Sequence, residues 1–256
     1  MRRLSAALVA AALSCGAAGA ARAAEGDEHL SLSGGLPVTI EDAGSIERGD
    51  VDLKARLYYE RARGGGRHRL TVDPEIEVGV APNLSIGLSP TYEAGGAAGD
   101  ERGEVEFEIE YAILPQRGTG PGVLVEPLLV LPYGPGDASA EAGIAIRATQ
   151  PLTASPTGPR LHLNGRWLQL LDPAEGQRDA RFLVAAGVNL TVAPRTALAF
   201  DLVREQSQER GETENLVEAG IRHEVAEKLS LGLGLGVGIG PDSPRYRLLL
   251  GVQRSF

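Results

Sequence analysis

Glu104-Val105-Glu106-Phe107-Glu108-Ile109-Glu110-Tyr111-Ala112-Ile113 carries a carboxylate at every even position from 104 to 110 and an apolar side chain at every odd one. A repeat of two is the period of a β-strand, whose successive side chains point to opposite faces. One face of this strand requires a polar environment and the other an apolar one. The same rule holds upstream. Val51, Leu53, Ala55, Leu57 and Tyr59 alternate with Asp52, Lys54, Arg56, Tyr58 and Glu60. Leu70, Val72, Pro74, Ile76, Val78 and Val80 alternate with Arg69, Thr71, Asp73, Glu75, Glu77 and Gly79, and Leu84 to Tyr92 follows after the tight turn Ala81-Pro82-Asn83. Downstream, Leu229, Leu231, Leu233, Leu235, Val237 and Ile239 alternate almost entirely with glycine, a composition that no helix tolerates.

Further segments at about 123–133, 140–151, 161–170, 180–192, 196–205, 215–225 and 246–256 bring the expected number of strands to twelve. Segment 123–133 is apolar on both faces and 161–170 is mixed. Segment 215–225 fits if Val217, Ala219, Ile221, His223 and Val225 share the outer face. Strands of about 9–11 residues with one apolar face match a tilted bilayer crossing, whereas soluble sandwich strands run to about 5–6. Every second connector is short or Pro-rich, among them Ala81-Pro82-Asn83, Ala193-Pro194-Arg195 and Ala226-Glu227-Lys228, while the others are polar. The expectation is an all-β, transmembrane antiparallel barrel of about 12 strands with both termini periplasmic. A soluble periplasmic β-sandwich is the competing fold.

The 256 residues include 34 glycines and 16 prolines, which argues for frequent turns and against a helix bundle. The net charge of −9 argues against a nucleic-acid partner, which needs a basic face. Arg2 and Arg3, the apolar run Leu4–Leu13 and Ala21-Arg22-Ala23 have the layout of a secretory signal peptide over residues 1–23, cut after Ala23. The run is too short for a transmembrane anchor, and Leu13 lies one position too close to Cys15 for a good lipoprotein box. Removing residues 1–23 deletes three arginines and no acid, leaving 22 basic and 34 acidic residues and a net charge of −12. Residues 24–49 then form a periplasmic N-terminal segment or a plug, and residues 50–256 the barrel.

The last strand, Tyr246 to Phe256, ends on a phenylalanine in phase with alternating apolar residues. It resembles the carboxy-terminal signature of bacterial outer-membrane β-barrels, and that resemblance makes Phe256 an assembly signal for the barrel-assembly machinery. The opening Pro37-Val38-Thr39-Ile40-Glu41-Asp42-Ala43-Gly44, with Pro241-Asp242-Ser243-Pro244 before the closing strand, resembles outer-membrane transporters of the phenol-degradation, MetA-like family. The resemblance implies an outer-membrane channel for passive passage of small solutes, aromatic or apolar compounds among them.

If lipid meets the apolar faces, the polar faces line a lumen rich in acids. Its lining candidates are Asp73, Glu75, Glu77, Glu104, Glu106, Glu108 and Glu110, with Lys54, Arg56, Arg147, Arg181, Arg222 and Arg247. They read either as a pore favouring cations or as an ion-pair network that fills a non-conducting structural or binding barrel. The run 104–110 is the strongest local candidate for a selectivity element. Inward glycines 232, 234, 236 and 238 widen the bore, seat a plug such as residues 24–49, or relieve crowding, with relief the favoured reading. Tyr59, Tyr92, Tyr133, Trp167 and Tyr246, with Phe182, fall near the loop ends of their strands, as an aromatic membrane girdle would. His29, His68, His162 and His223 show no serine-histidine pattern, and no metal-ligand spacing occurs. No catalytic residue, no metal and no cofactor is therefore expected, and the partners are outer-membrane lipid and a small-molecule solute. The mature chain should need detergent for extraction and should migrate faster unheated than boiled on a gel; a compact particle in plain buffer would refute the membrane fold.

Overall fold

The computed structural model describes residues 32, 34–64, 67–96, 102–135 and 138–256. The expected signal segment lies outside the described residues, as do most of the residues before Gly34. Twelve strands follow one another: β1 (Val51–Arg61), β2 (His68–Ala81), β3 (Leu84–Ala94), β4 (Arg102–Leu114), β5 (Gly122–Tyr133), β6 (Ala140–Pro151), β7 (Arg160–Leu171), β8 (Ala180–Ala193), β9 (Thr196–Gln206), β10 (Thr213–Ala226), β11 (Leu229–Gly238) and β12 (Tyr246–Ser255). Each pairs antiparallel with its neighbours in the chain, and β12 returns to β1 to close a barrel. The closing seam runs from Asp52 opposite Ser255 to Arg61 opposite Tyr246, and the Phe256 N–H donates to the Val51 carbonyl at 2.9 Å. Both ends of the barrel wall therefore lie on the same rim.

Three hairpins on that rim share one construction. Their two-residue turns, Pro82-Asn83, Pro194-Arg195 and Glu227-Lys228, each place the second residue at positive φ, between 59° and 62°. A register shift precedes each turn, at Gly79/Ala81, Thr191/Ala193 and Glu224/Ala226. A left-handed residue beside a bulge lets so short a turn follow the twist of its strands. The expected final strand of the glycine ribbon, 229–240, is shorter in the structure. β11 stops at Gly238, because Gly240 sits at φ +99° and Pro241 begins the connector.

The faces invert the order of a soluble protein. Ile109, Leu163, Leu202, Leu233, Leu235 and Leu250 are about half exposed on the outside. Glu77, Glu126, Glu141, His162 and Asn189 are buried inside. A polar interior under an apolar exterior is stable only where hydrocarbon replaces water outside. Segment 215–225 obeys the outer-face assignment, with Val217, Ile221 and Val225 exposed. The doubly apolar segment 123–133 has a different cause: Leu124, Leu128 and Val130 are turned inward and buried, while Leu129 and Leu131 face out. Leu233, mid-strand and beside Ile221 and Leu250, gives the direct test. Leu233→Arg should destabilise the barrel in lipid vesicles by about 2–4 kcal/mol in urea unfolding, and Leu233→Phe should be nearly neutral.

Candidate functional site

The interior is built by parity. Inward positions of β1 and β2 place Lys54 between Glu75 and Glu77, at 2.7 and 2.9 Å, and Arg56 between Asp73 and Glu75, at 2.8 and 2.9 Å. Arg247 of β12 holds Glu60 at 2.6 Å and Glu218 at 3.4 Å, and Arg69 shares Glu60. On the far wall Arg181 forms a two-pronged pair with Glu141, both contacts at 2.7 Å, and reaches Glu205 at 3.3 Å. Arg166 pairs with Glu106. Arg147 of β6 reaches across β5 to β4, binding Glu126, Glu110 at 2.6 Å and Glu41 at 3.2 Å. Arg222 is buried and donates from Nη2 to Gln253 at 2.6 Å; its Nε and Nη1 find no hydrogen-bond partner. Of the run 104–110, Glu106 and Glu110 are paired with arginines, whereas Glu104 and Glu108 make no ion pair among the described residues.

Residues 34–43 run inside the barrel as an irregular chain, with a turn at Gly34-Gly35 and bends at 37–39 and 43, where their backbone donors cannot all reach water. Inward side chains accept from them instead. Thr39 donates from N and Oγ1 to Glu218 of β10, at 3.0 and 2.6 Å, and Ile40 N donates to Asp201 of β9 at 2.8 Å. Glu41 N donates to Asn164 of β7 at 2.7 Å, and Ala43 N to Thr149 of β6 at 2.9 Å. Each bond satisfies a main-chain group that burial would otherwise leave costly. Thr149 is held in turn by His162 at 3.1 Å, whose other ring nitrogen meets Asn189 at 3.0 Å. Leu32, Val38 and Ile40 pack with Ala185, Ala199, Val203 and Leu216 in a small apolar core within the lumen.

The glycine wall is where this chain lies. A Cβ at Gly234 would stand 2.1 Å from the Pro37 carbonyl oxygen, and one at Gly251 would stand 1.9 Å from Leu36 Cδ2. Gly220 and Gly232 likewise face Pro37 and Leu36. Gly232 and Gly234 thus accommodate the inner chain, whereas Gly236 makes room for Glu218 and Arg247 of the wall and Gly238 for Ser243 and Pro244. Thr149, His162, Asn164 and Asn189 were absent from the sequence-based candidates. Their uncharged polar side chains at inward parity are the signal that would have found them.

The aromatic candidates sit on the outer wall. Tyr92, Tyr133 and Trp167 are exposed there, and Trp167 lies opposite Phe182 across the β7–β8 pair. Tyr59 and Tyr246 are half-buried, their rings 6.2 Å apart, and Tyr59 stacks on His68. Phe256 is exposed at the opposite rim, under the Arg254 guanidinium.

No family model and no curated protein matches this chain. Solved structures do. The COG4313 outer membrane channel from Pseudomonas putida F1 superposes with a TM-score of 0.61 at 12% identity, over 84% of this chain and 98% of that one. The fold is that of a bacterial outer-membrane channel. The KdgM porin, with a TM-score of 0.56 at 11% identity, covers 80% of this chain and 99% of its own. The NanC porin gives 0.55 at 11% identity, over 79% and 98%. The closed twelve-stranded barrel shared with these porins meets the expectation from the alternating sequence.

Arg147 is the electrostatic hub of this interior. Arg147→Ala leaves Glu110, Glu126 and Glu41 without their shared cation and should cost about 3–5 kcal/mol. Adding Glu110→Gln and Glu126→Gln should recover part of that loss in the same urea titration.

Proposed function

We propose that this protein is an outer-membrane channel passing small solutes passively through a narrow, acid-rich lumen, with residues 34–43 as a plug within it. The observation that carries this reading is the imbalance of the interior. Among the described residues, the inward acids Glu104, Glu108, Asp201 and Asp52 make no ion pair, whereas Arg222 is the one lumen-lining arginine named above without one. An uncompensated negative lining attracts cations and repels anions.

Several companion assignments belong to the same reading. Residues 1–23 are a signal peptide, both termini face the periplasm, and Phe256 is read by the barrel-assembly machinery. Tyr59, Tyr92, Tyr133, Trp167 and Tyr246 lie at the lipid headgroup level. Passage of aromatic or apolar solutes, which the resemblance to the MetA-like family implies, is favoured by one feature of the lumen wall. Leu128, Val130, Ala145 and Leu168 form a buried apolar cluster on the inward faces of β5, β6 and β7, beside the charged ladders. A lumen with an apolar strip and a polar strip suits a small aromatic molecule with a polar end.

The second reading, a non-conducting barrel, is favoured by the chain segment in the lumen and the ion pairs around it. Planar-bilayer recording separates the two. The channel should give small steps in the intact protein, and a KCl gradient should show cation preference. Deleting residues 34–43, or the bulky Gly234→Leu that would displace Pro37, should raise the conductance several-fold. Silence from folded samples of all three would establish the closed barrel, and anion preference would remove the role given to the acids.

A further inference from the structure

Glu108 is the odd member of the acidic run. It points inward from the middle of β4 with only 8% of its surface exposed. The strands beside it place Gly87 of β3 and Leu128 of β5 directly opposite, and neither side chain can donate a hydrogen bond. Glu110, two residues on, accepts from Ser85 at 3.1 Å and from Arg147 at 2.6 Å. Glu106, two residues back, has Arg166. Among the described residues Glu108 makes no hydrogen bond and no ion pair, and the Arg147 guanidinium attracts it only from farther off. The charges that act on it most strongly are the carboxylates of Glu75, Glu126, Glu106 and Glu110. A buried carboxylate facing other carboxylates stays ionised only beside a positive partner and otherwise takes up a proton.

The partner's place is defined by three oxygens. One each from Glu106, Glu108 and Glu126 lies within 4.8 Å of the other two. Gly87 makes room for this arrangement, since a Cβ there would stand 2.1 Å from Glu108 Oε1. Arg166 and Arg147 hold Glu106 and Glu126, so Glu108 brings a third negative charge to a site served by two guanidinium groups, one of them shared with Glu110 and Glu41.

We propose that Glu106, Glu108 and Glu126 bind one hard divalent cation, and that calcium fits best. All three donors are carboxylate oxygens, which select hard ions over zinc or copper. Calcium takes about 6–8 oxygens at about 2.3–2.6 Å in flexible geometry and accepts several carboxylates, whereas magnesium demands a strict octahedron and keeps most of its waters beside one or two carboxylates. Water completes the shell from the lumen side. The bound ion ties β4 to β5 and removes two negative charges from the lining. Binding does not depend on whether the lumen conducts.

Calorimetric titration of the folded mature chain in detergent micelles, in a buffer with about 0.1 M KCl to screen scattered surface charge, tests the site. Calcium chloride should bind saturably at one ion per chain, more tightly than magnesium chloride. Glu108→Gln, nearly isosteric, should weaken calcium at least tenfold while the heat-dependent gel shift stays as in the parent. Gly87→Ala keeps all three carboxylates but pushes Glu108 aside, and should weaken calcium several-fold. Glu175→Gln, on an exposed loop, should change nothing. No saturable binding by the folded parent, or equal affinity in Glu108→Gln, would overturn the proposal.

Discussion

A strand edge in hydrocarbon exposes a row of N–H and C=O groups that nothing can solvate, so the antiparallel contact between β1 and β12 is the one on which the structure depends. The order of the strands follows from it. An uninterrupted meander closes only when first and last strands meet, and with an even number of strands they meet antiparallel. Phe256 extends the ladder past the end of β12, its amide bonded to Val51 where β1 begins.

Closure creates the second constraint, an interior that hydrocarbon cannot enter and that must satisfy its own charges. Acids outnumber bases there, so the arginines are shared. Arg147 serves three carboxylates and Arg247 also serves three. Such groups are costly to bury singly and tolerable as a network. The same interior receives residues 34–43, whose main-chain donors are taken up by Glu218, Asp201, Asn164 and Thr149 from four different strands. Wall and inner chain are therefore matched by hydrogen bonding on one side and by absent side chains on the other, where Leu36 and Pro37 meet glycine.

Legibility in the sequence varied with how local the cause was. The run 104–113 declared its two faces because each residue's surroundings depend only on its parity. Segment 123–133 hid its parity because the lumen there is apolar, a property of β5, β6 and β7 together. The glycines of β11 were recognisable as an inward row, yet the reason for Gly232 and Gly234 lies about 200 residues away in the chain, at Leu36 and Pro37. The polar anchors Thr149, His162, Asn164 and Asn189 were overlooked because no charge or motif marked them. For the charged lining, parity told which residues face inward. It gave no partners.

By itself the sequence determined the strands, their two-faced character and their even number, since alternation, turn residues and length are written within single segments. Only the tertiary structure decided the register, and with it everything that needs two strands at once. That includes which carboxylates Arg147 gathers, why Glu108 stands between Gly87 and Leu128, and where the chain before β1 comes to lie. The physical reason is distance. Period two is a property of consecutive residues, whereas an ion pair or a coordination site depends on atoms that the closed ladder of hydrogen bonds brings together from strands far apart in the chain.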